Sequence, residues 1–222
     1  MITLNSDAAS TSLSKTTKAI LNEYGIKLNK NLGQNYLIDR NKRDQIIQFG
    51  NLTKDDVVLE IGPGIGTLTI ELAKRVKKVI AIEQDSNICQ ILENRLKKEN
   101  IDNVELINDD ALNVEFPKFD KIISNLPYQI SSPITFKFLN YDFQLAILMY
   151  QKEFASRMNG KVGSKDYSRL SAMLYFKCDV DLLTGVSAES FIPKPKVDST
   201  VVRLTPKLPE LNGQLKHLNI YE

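Results

Sequence analysis

Cysteine and histidine are nearly missing from this sequence, and their scarcity removes several chemistries at once. Only Cys89 and Cys178 occur among 222 residues, with no paired metal-ligand spacing, so neither a disulfide framework nor a metal centre is expected. The one histidine, His217, lies near the end of the chain, where a surface role is expected rather than a catalytic one. No segment is apolar over a length that spans a bilayer. Met1 to Ser12 lacks the basic start and apolar middle of a secretory leader. A reducing cytoplasm, with no membrane contact, is therefore the expected setting. A large excess of one charge is also lacking, since 29 Lys and Arg face 27 Asp and Glu, and the net charge alone does not identify a nucleic-acid partner.

What is present fits one catalytic domain with at most a small second module, given about 100–200 residues per domain. Hydrophobic residues at 42% and charged residues at 25% are ordinary for a globular chain and exclude general disorder. The charges are unevenly spread. Lys15, Lys18, Lys27, Lys30, Arg40, Lys42 and Arg43 crowd one region, and Lys152, Arg157, Lys161, Lys165, Arg169 and Lys177 another, with acidic residues concentrated from Glu83 to Asp120. Solvated helix faces and phosphate-binding surfaces both have this composition.

Short apolar runs alternate with helical stretches. Val57 to Ile61 reads as a strand, Leu68 to Val76 as a helix and Lys78 to Glu83 as a second strand. A helix then carries Ile88, Ile91, Leu92 and Leu96 on one face. Val104 to Ile107, Lys121 to Ser124 and Leu145 to Tyr150 complete five candidate strands. Val180–Val186 and Val201–Leu204, separated by a loop with Pro193 and Pro195, read as an antiparallel sheet edge. The pattern predicts a doubly wound α/β sheet whose ligands sit at the carboxyl ends of its strands.

The chemistry-bearing residues fall at those ends. Glu60-Ile61-Gly62-Pro63-Gly64-Ile65-Gly66-Thr67 follows a strand and opens a helix, and its glycines permit close approach of backbone to a ligand. Glu83 ends the next strand, where a carboxylate accepts from ribose hydroxyls. A dinucleotide fingerprint requires a small residue where Thr67 stands, and the G-x-G-x-G spacing favours S-adenosylmethionine instead. Asp109 and Asp110 end the third strand. Asx residues commonly cap such turns, but behind Gly62 and Glu83 the preferred role for Asp110 is to accept from an adenine amino group, with the Ala111 N–H serving a ring nitrogen.

Asn125-Leu126-Pro127-Tyr128 closes the fourth strand and is the most specific signal. By itself it also reads as a strand-ending turn. It resembles the N-[LIP]-P-[YF] tetrapeptide of amino methyltransferases. An adenine N6 is a poor nucleophile because its lone pair is delocalised into the ring. The Asn125 oxygen and a nearby backbone carbonyl would hold its two hydrogens and favour sp³ character, Pro127 would stiffen the backbone, and Tyr128 would stack on a flipped base.

These stretches together resemble the small-subunit ribosomal RNA adenine N6,N6-dimethyltransferases, especially their archaeal and eukaryotic branch. Three further stretches carry the resemblance, Leu32-Gly33-Gln34-Asn35-Tyr36-Leu37, Tyr128-Gln129-Ile130-Ser131-Ser132-Pro133 and Phe191-Ile192-Pro193-Lys194-Pro195-Lys196-Val197-Asp198-Ser199. It implies a Rossmann-like class I methyltransferase fold, with a mainly parallel seven-stranded sheet and an antiparallel edge. It also implies a monomer that dimethylates two adjacent adenosines near the 3′ end of small-subunit rRNA within a pre-ribosomal particle. Gln34, Asn35, Leu37, Gly62, Gly64, Gly66, Glu83, Asp110, Ala111 and Asn125 would bind the cofactor. Asn125 to Tyr128 would serve catalysis, and Tyr128 and Phe191 would flank the base.

The implied division is an N-terminal extension and helix (1–28), a catalytic domain (29–206) and a short tail (207–222) without the family's helical C-terminal domain. Two other functions remain in view, a large-subunit rRNA adenine methylase of the macrolide-resistance type and a ribosome-assembly factor with little catalysis.

Overall fold

Runs of β-branched and aliphatic residues, unalternated because both faces are covered, make the central strands. The computed structural model describes residues 12–26 and 35–207. Along the chain these form α1 (Leu13–Glu23), β1 (Tyr36–Leu37), α2 (Arg40–Phe49), β2 (Val57–Ile61), α3 (Thr69–Ala73), β3 (Lys78–Glu83), α4 (Ser86–Lys98), β4 (Val104–Asn108) and β5 (Lys121–Asn125). There follow α5 (Ser131–Phe138), β6 (Leu145–Gln151), α6 (Lys152–Met158), α7 (Arg169–Lys177), β7 (Cys178–Val186), β8 (Phe191–Ile192) and β9 (Ser199–Pro206).

Seven strands form one sheet in the order β4-β3-β2-β5-β6-β9-β7. The first five are mutually parallel. β9 lies antiparallel between β6 and β7, so the expected parallel sheet with an antiparallel edge is observed. Alternate residues of each strand enter opposite core layers, as the period of two requires. Leu59, Ile61, Ile80, Ile82, Ile122 and Leu148 pack on one side, and Val58, Val79, Ala81, Ile123, Ile147 and Met149 on the other. β7 carries a bulge against β9 between Leu182 and Thr184.

Side chains fix several element ends. Asp39 accepts from the Lys42 N–H at 3.1 Å to start α2, and Asp85 caps α4 by accepting from the N–H groups of Asn87 and Ile88. α3 is shorter than the apolar pattern predicts. The Asn103 amide donates to the carbonyls of Ala73 (2.9 Å) and Val76 (3.1 Å), which ends the helix and turns the chain into β3. α1, in the stretch read as an N-terminal extension, packs Ile20 and Leu21 against Tyr36, Ile65, Ile88 and Ile91, so this helix shares an apolar core with the cofactor-turn region.

A buried ion pair anchors the start of β5. Lys121 Nζ lies 2.9 Å from Asp56, their side chains only 8% and 7% exposed, and it also donates to the Asn51 carbonyl. Asp56 in turn accepts from the Thr53 N–H. Removing one partner strands a buried charge. Asp56→Ala is therefore expected to lower the unfolding free energy by about 3–5 kcal/mol in urea titrations at neutral pH, and Asp56→Leu combined with Lys121→Met to recover most of that loss. A small effect in the single variant would show that water reaches the ammonium.

Candidate active site

β2 and β5 are neighbours, yet they pair only at Val58↔Lys121 and Leu59↔Ile122. Beyond those positions the Ile61 N–H donates instead to the Ser124 hydroxyl at 2.8 Å. A side chain replaces the ladder, and a crevice opens where strand order reverses, the place for ligands in such sheets. Residues from the ends of β1, β2, β3, β4 and β5 line it together.

The glycine turn forms one wall. Gly62 and Gly64 have φ of +67° and +56°. A Cβ at Gly62 would lie 2.9 Å from Pro127 Cγ, and one at Gly64 2.9 Å from Tyr36 Cε1, so the turn is wedged between the tetrapeptide proline and the Tyr36 ring. Gly66 has a different duty. It is absent from the crevice lining, and a Cβ there would lie 2.5 Å from Leu92 Cδ1. Its smallness seats α4.

Glu83 faces the turn. Its Oε2 accepts from the Gly64 N–H and its Oε1 from the Asp85 N–H, both at 3.1 Å. Burial raises its pKa against those two bonds. Each oxygen retains capacity for another donor, which suits a pair of ligand hydroxyls. Asp110 lines the crevice and also organises its own turn, with Oδ1 accepting from the Leu112 N–H at 2.9 Å and Oδ2 from Asn113 Nδ2 at 3.2 Å. The capping and pocket-facing positions anticipated for this residue thus coincide. Ala111 lies beside it in the lining.

β5 delivers the tetrapeptide to the mouth of the crevice, where Asn125, Leu126, Pro127 and Tyr128 all line it. The Asn125 Nδ2 donates to the Asn35 carbonyl at 3.0 Å. That bond decides which end of the amide faces the ligand and leaves Oδ1 as the acceptor. Asn35 reaches this point because β1 clasps β8, with Tyr36 opposite Ile192 and Leu37 opposite Phe191. Leu37 lines the floor. Tyr128 starts a single 3₁₀ turn, Tyr128–Ile130, and its hydroxyl is bound to Ser199 Oγ at 2.6 Å.

Two residues expected at the site do not appear in the crevice, one by its placement and one because it lies outside the described residues. Phe191 is 2% exposed within the apolar core and absent from the crevice lining. In the short β8 its side chain takes the inward face, so its ring has no face open to a base. Gln34 lies outside the described residues.

Other functional positions went unread in the sequence. Glu60 lines the crevice at 2% exposure, its Oε2 without a hydrogen-bond partner among the described residues. Burial, with the Glu83 charge adding, pushes its pKa up to about 8. The only signal was an acidic residue inside an otherwise apolar strand. Lys137 of α5 donates to the carbonyls of Ala111, Leu112 and Val114, with its Nζ 4.3 Å from the Phe116 ring centroid. It fastens the turn that carries Asp110. Nothing local marks that role.

Chemically the crevice combines a carboxylate with spare lone pairs, an unsatisfied buried carboxyl, a closely approachable backbone turn and an oriented amide oxygen beside an aromatic ring. Among the described residues no group of His, Cys, Asp and Glu has metal-holding geometry, and no helix is long and apolar enough to cross a membrane.

Comparison with known proteins places this arrangement. Residues 25–222 match the family model described as ribosomal RNA adenine dimethylase. A probable ribosomal RNA small subunit methyltransferase A from Methanosphaera stadtmanae is 54% identical over 191 residues, which are 86% of this chain and 70% of that protein. Its counterpart from Pyrococcus abyssi is 49% identical, over 88% of this chain and 72% of its own. Among solved structures, a dimethyladenosine transferase from Plasmodium falciparum has a TM-score of 0.73 at 43% identity, covering 77% of this chain and 63% of that one. The 23S rRNA methyltransferase ErmE has a TM-score of 0.70 at 34% identity, covering 78% and 70%. On the family match and on these identities, the chain belongs to the ribosomal RNA adenine dimethylase family.

Proposed function

We propose that this protein transfers methyl groups from S-adenosylmethionine to N6 of adenosines in small-subunit ribosomal RNA, as a monomeric cytoplasmic enzyme acting on a pre-ribosomal particle. The two adjacent adenosines near the 3′ end, each dimethylated, are the proposed targets. The observation that carries the reading is the Asn125 amide in the crevice lining, with its Nδ2 held by the Asn35 carbonyl so that Oδ1 is left as the acceptor. An amine is the group that needs such an acceptor.

S-adenosylmethionine, when bound, supplies an electrophilic methyl on its sulfonium. The rest is done by the chain's own groups. Glu83 accepts from the ribose hydroxyls, Asp110 and Ala111 hold the adenine edge, and Gly62 and Gly64 let the backbone approach. Leu37 and Asn35 close the floor. Asn125 Oδ1 accepts one hydrogen of the target N6 and so favours a localised lone pair on the nitrogen, while Tyr128 offers its ring to the flipped base. These are preorganised dipoles and a stacking face, and no general base is required. Catalysis is assigned to residues 29–206, with 1–28 and 207–222 as flanking segments.

The named relatives favour the small subunit. Those at 49% and 54% identity are called small-subunit methyltransferases, whereas the 23S rRNA enzyme stands at 34%. Retention of Gly62, Glu83, Asp110 and Asn125 in one crevice supports an active enzyme over an assembly factor that has lost catalysis.

Four outcomes test the assignment. Glu83→Ala removes a charge-assisted acceptor and is expected to weaken S-adenosylmethionine binding in calorimetry by about tenfold or more; unchanged affinity would overturn the ribose assignment. In single-turnover transfer to unmodified small-subunit particles, Asn125→Ala should lose about 10²–10³-fold in rate. Tyr128→Ala, by contrast, should lose apparent RNA affinity, by roughly 1–3 kcal/mol. Mass spectrometry of the product must find the label on N6 of adenine in the small-subunit RNA; label in large-subunit RNA instead would move the enzyme to the other class.

A further inference from the structure

The Phe191–Ser199 stretch resembles a family motif, yet its phenylalanine is committed to the core. The residue of that stretch that reaches the site is the last one. Ser199 Oγ lies 2.6 Å from Tyr128 Oη, although 71 residues separate the two in sequence.

Ser199 is mounted on a fixed point. It opens β9 with its Cα opposite Gln151 on one side and Val186 on the other, and it is 1% exposed. The preceding Asp198 is held as well. Its carbonyl accepts from the Lys152 N–H at 3.0 Å, and its Oδ1 accepts from the Ala188 N–H at 2.9 Å. A hydroxyl mounted on such a backbone has no freedom beyond its own rotor.

The Tyr128 phenol has one end on the backbone that follows β5 and the other on Ser199, so its long axis spans the end of β6. Both ends of that axis are defined, which holds χ1 in one well. Burial keeps the phenol protonated by raising its pKa. A side chain that is already ordered pays no rotamer entropy when a base stacks on it.

We infer that Ser199 is a positioning residue: through its hydrogen bond to Tyr128 it aims the ring on which the target adenine stacks. The inference rests on the proposed function, in which Tyr128 meets the base. It assigns Ser199, rather than Phe191, as the contribution of the Pro-rich stretch to the reaction. The tyrosine hydroxyl acts as a tether in this account and carries no proton in the chemistry.

The test is a double-mutant cycle on the full chain with Ser199→Ala, Tyr128→Phe and both together. Each single variant breaks the same bond and is expected to slow single-turnover methylation of small-subunit particles about three- to tenfold, the double variant no further than either single, and all three to bind S-adenosylhomocysteine as the unaltered protein does. Additive losses, or a Tyr128→Phe loss far beyond that of Ser199→Ala, would overturn the tether. So would a Ser199→Ala variant that transfers at the original rate, or one that loses donor affinity in parallel with rate.

An activity-independent reading comes from ¹³C-labelled tyrosine, of which the chain has eight. The Tyr128 ring signals should shift in Ser199→Ala while signals of tyrosines remote from β9 stay in place, and an unmoved Tyr128 signal would sink the inference. Should the unaltered chain transfer nothing to the particles, the proposed function falls, and this signal still decides whether the tether exists.

Discussion

Two parallel strands that part before they end are the constraint on which the rest of this molecule depends. β2 and β5 share two register positions and then separate, with Ser124 Oγ standing in for a backbone acceptor opposite Ile61. Had the ladder continued, Gly62 and Asn125 would be drawn together and the crevice closed. The parting is stable because the strands' other edges remain paired, β2 with β3 at five positions and β5 with β6 at five, and because the Lys121–Asp56 pair fixes the start of β5.

What gathers in the gap is shaped by burial. Glu60 sits at the bottom with an unsatisfied oxygen and a pKa near 8, while Glu83, only a strand away, keeps two backbone donors. Two carboxyls so close do not both ionise easily, and the Glu83 charge adds to the burial that raises the Glu60 pKa. Partial burial likewise strengthens the bond that orients Asn125. The Asn35 carbonyl is therefore as much a part of the amine site as the asparagine it holds.

The sheet was largely legible in the sequence, because β-branched runs closed by glycine or Asx turns carry local signals. β2 and β3 lie where the apolar runs end, and the antiparallel edge follows from the proline loop between two late strands. Gly62, Gly64, Glu83, Asp110 and Asn125 could be picked out for the same reason, since each falls at a strand's end or within three residues of it. α5 and α7 were harder to read. α5 opens on Ser-Ser-Pro, and α7 carries Tyr175 and Phe176 outward, so neither has a clean apolar stripe. Contacts between distant residues had no local signature at all: Ser124 with Ile61, Asn125 with Asn35, Tyr128 with Ser199. Phe191 shows the complementary limit. In a two-residue strand, pattern does not say which face a side chain takes, and a shift of one position exchanges core for site.

The bulge in β7 has a consequence for how copies of this protein meet. β7 is the outer strand on its side of the sheet, nine residues long, and a flat edge of that length is a template for strand addition by another chain. Here the register slips between Leu182 and Thr184, Asp179 and Asp181 stand exposed along the edge, and Gly185 follows within two residues of the slip. A bulge bends and twists the ribbon, and the two aspartates are held in ion pairs, Asp181 with Arg203 and Asp179 with Lys207, so charged pairs flank the edge. Among the described residues the sheet thus ends at a bent edge, and crowded molecules in a concentrated solution meet a poor template for an endless ladder.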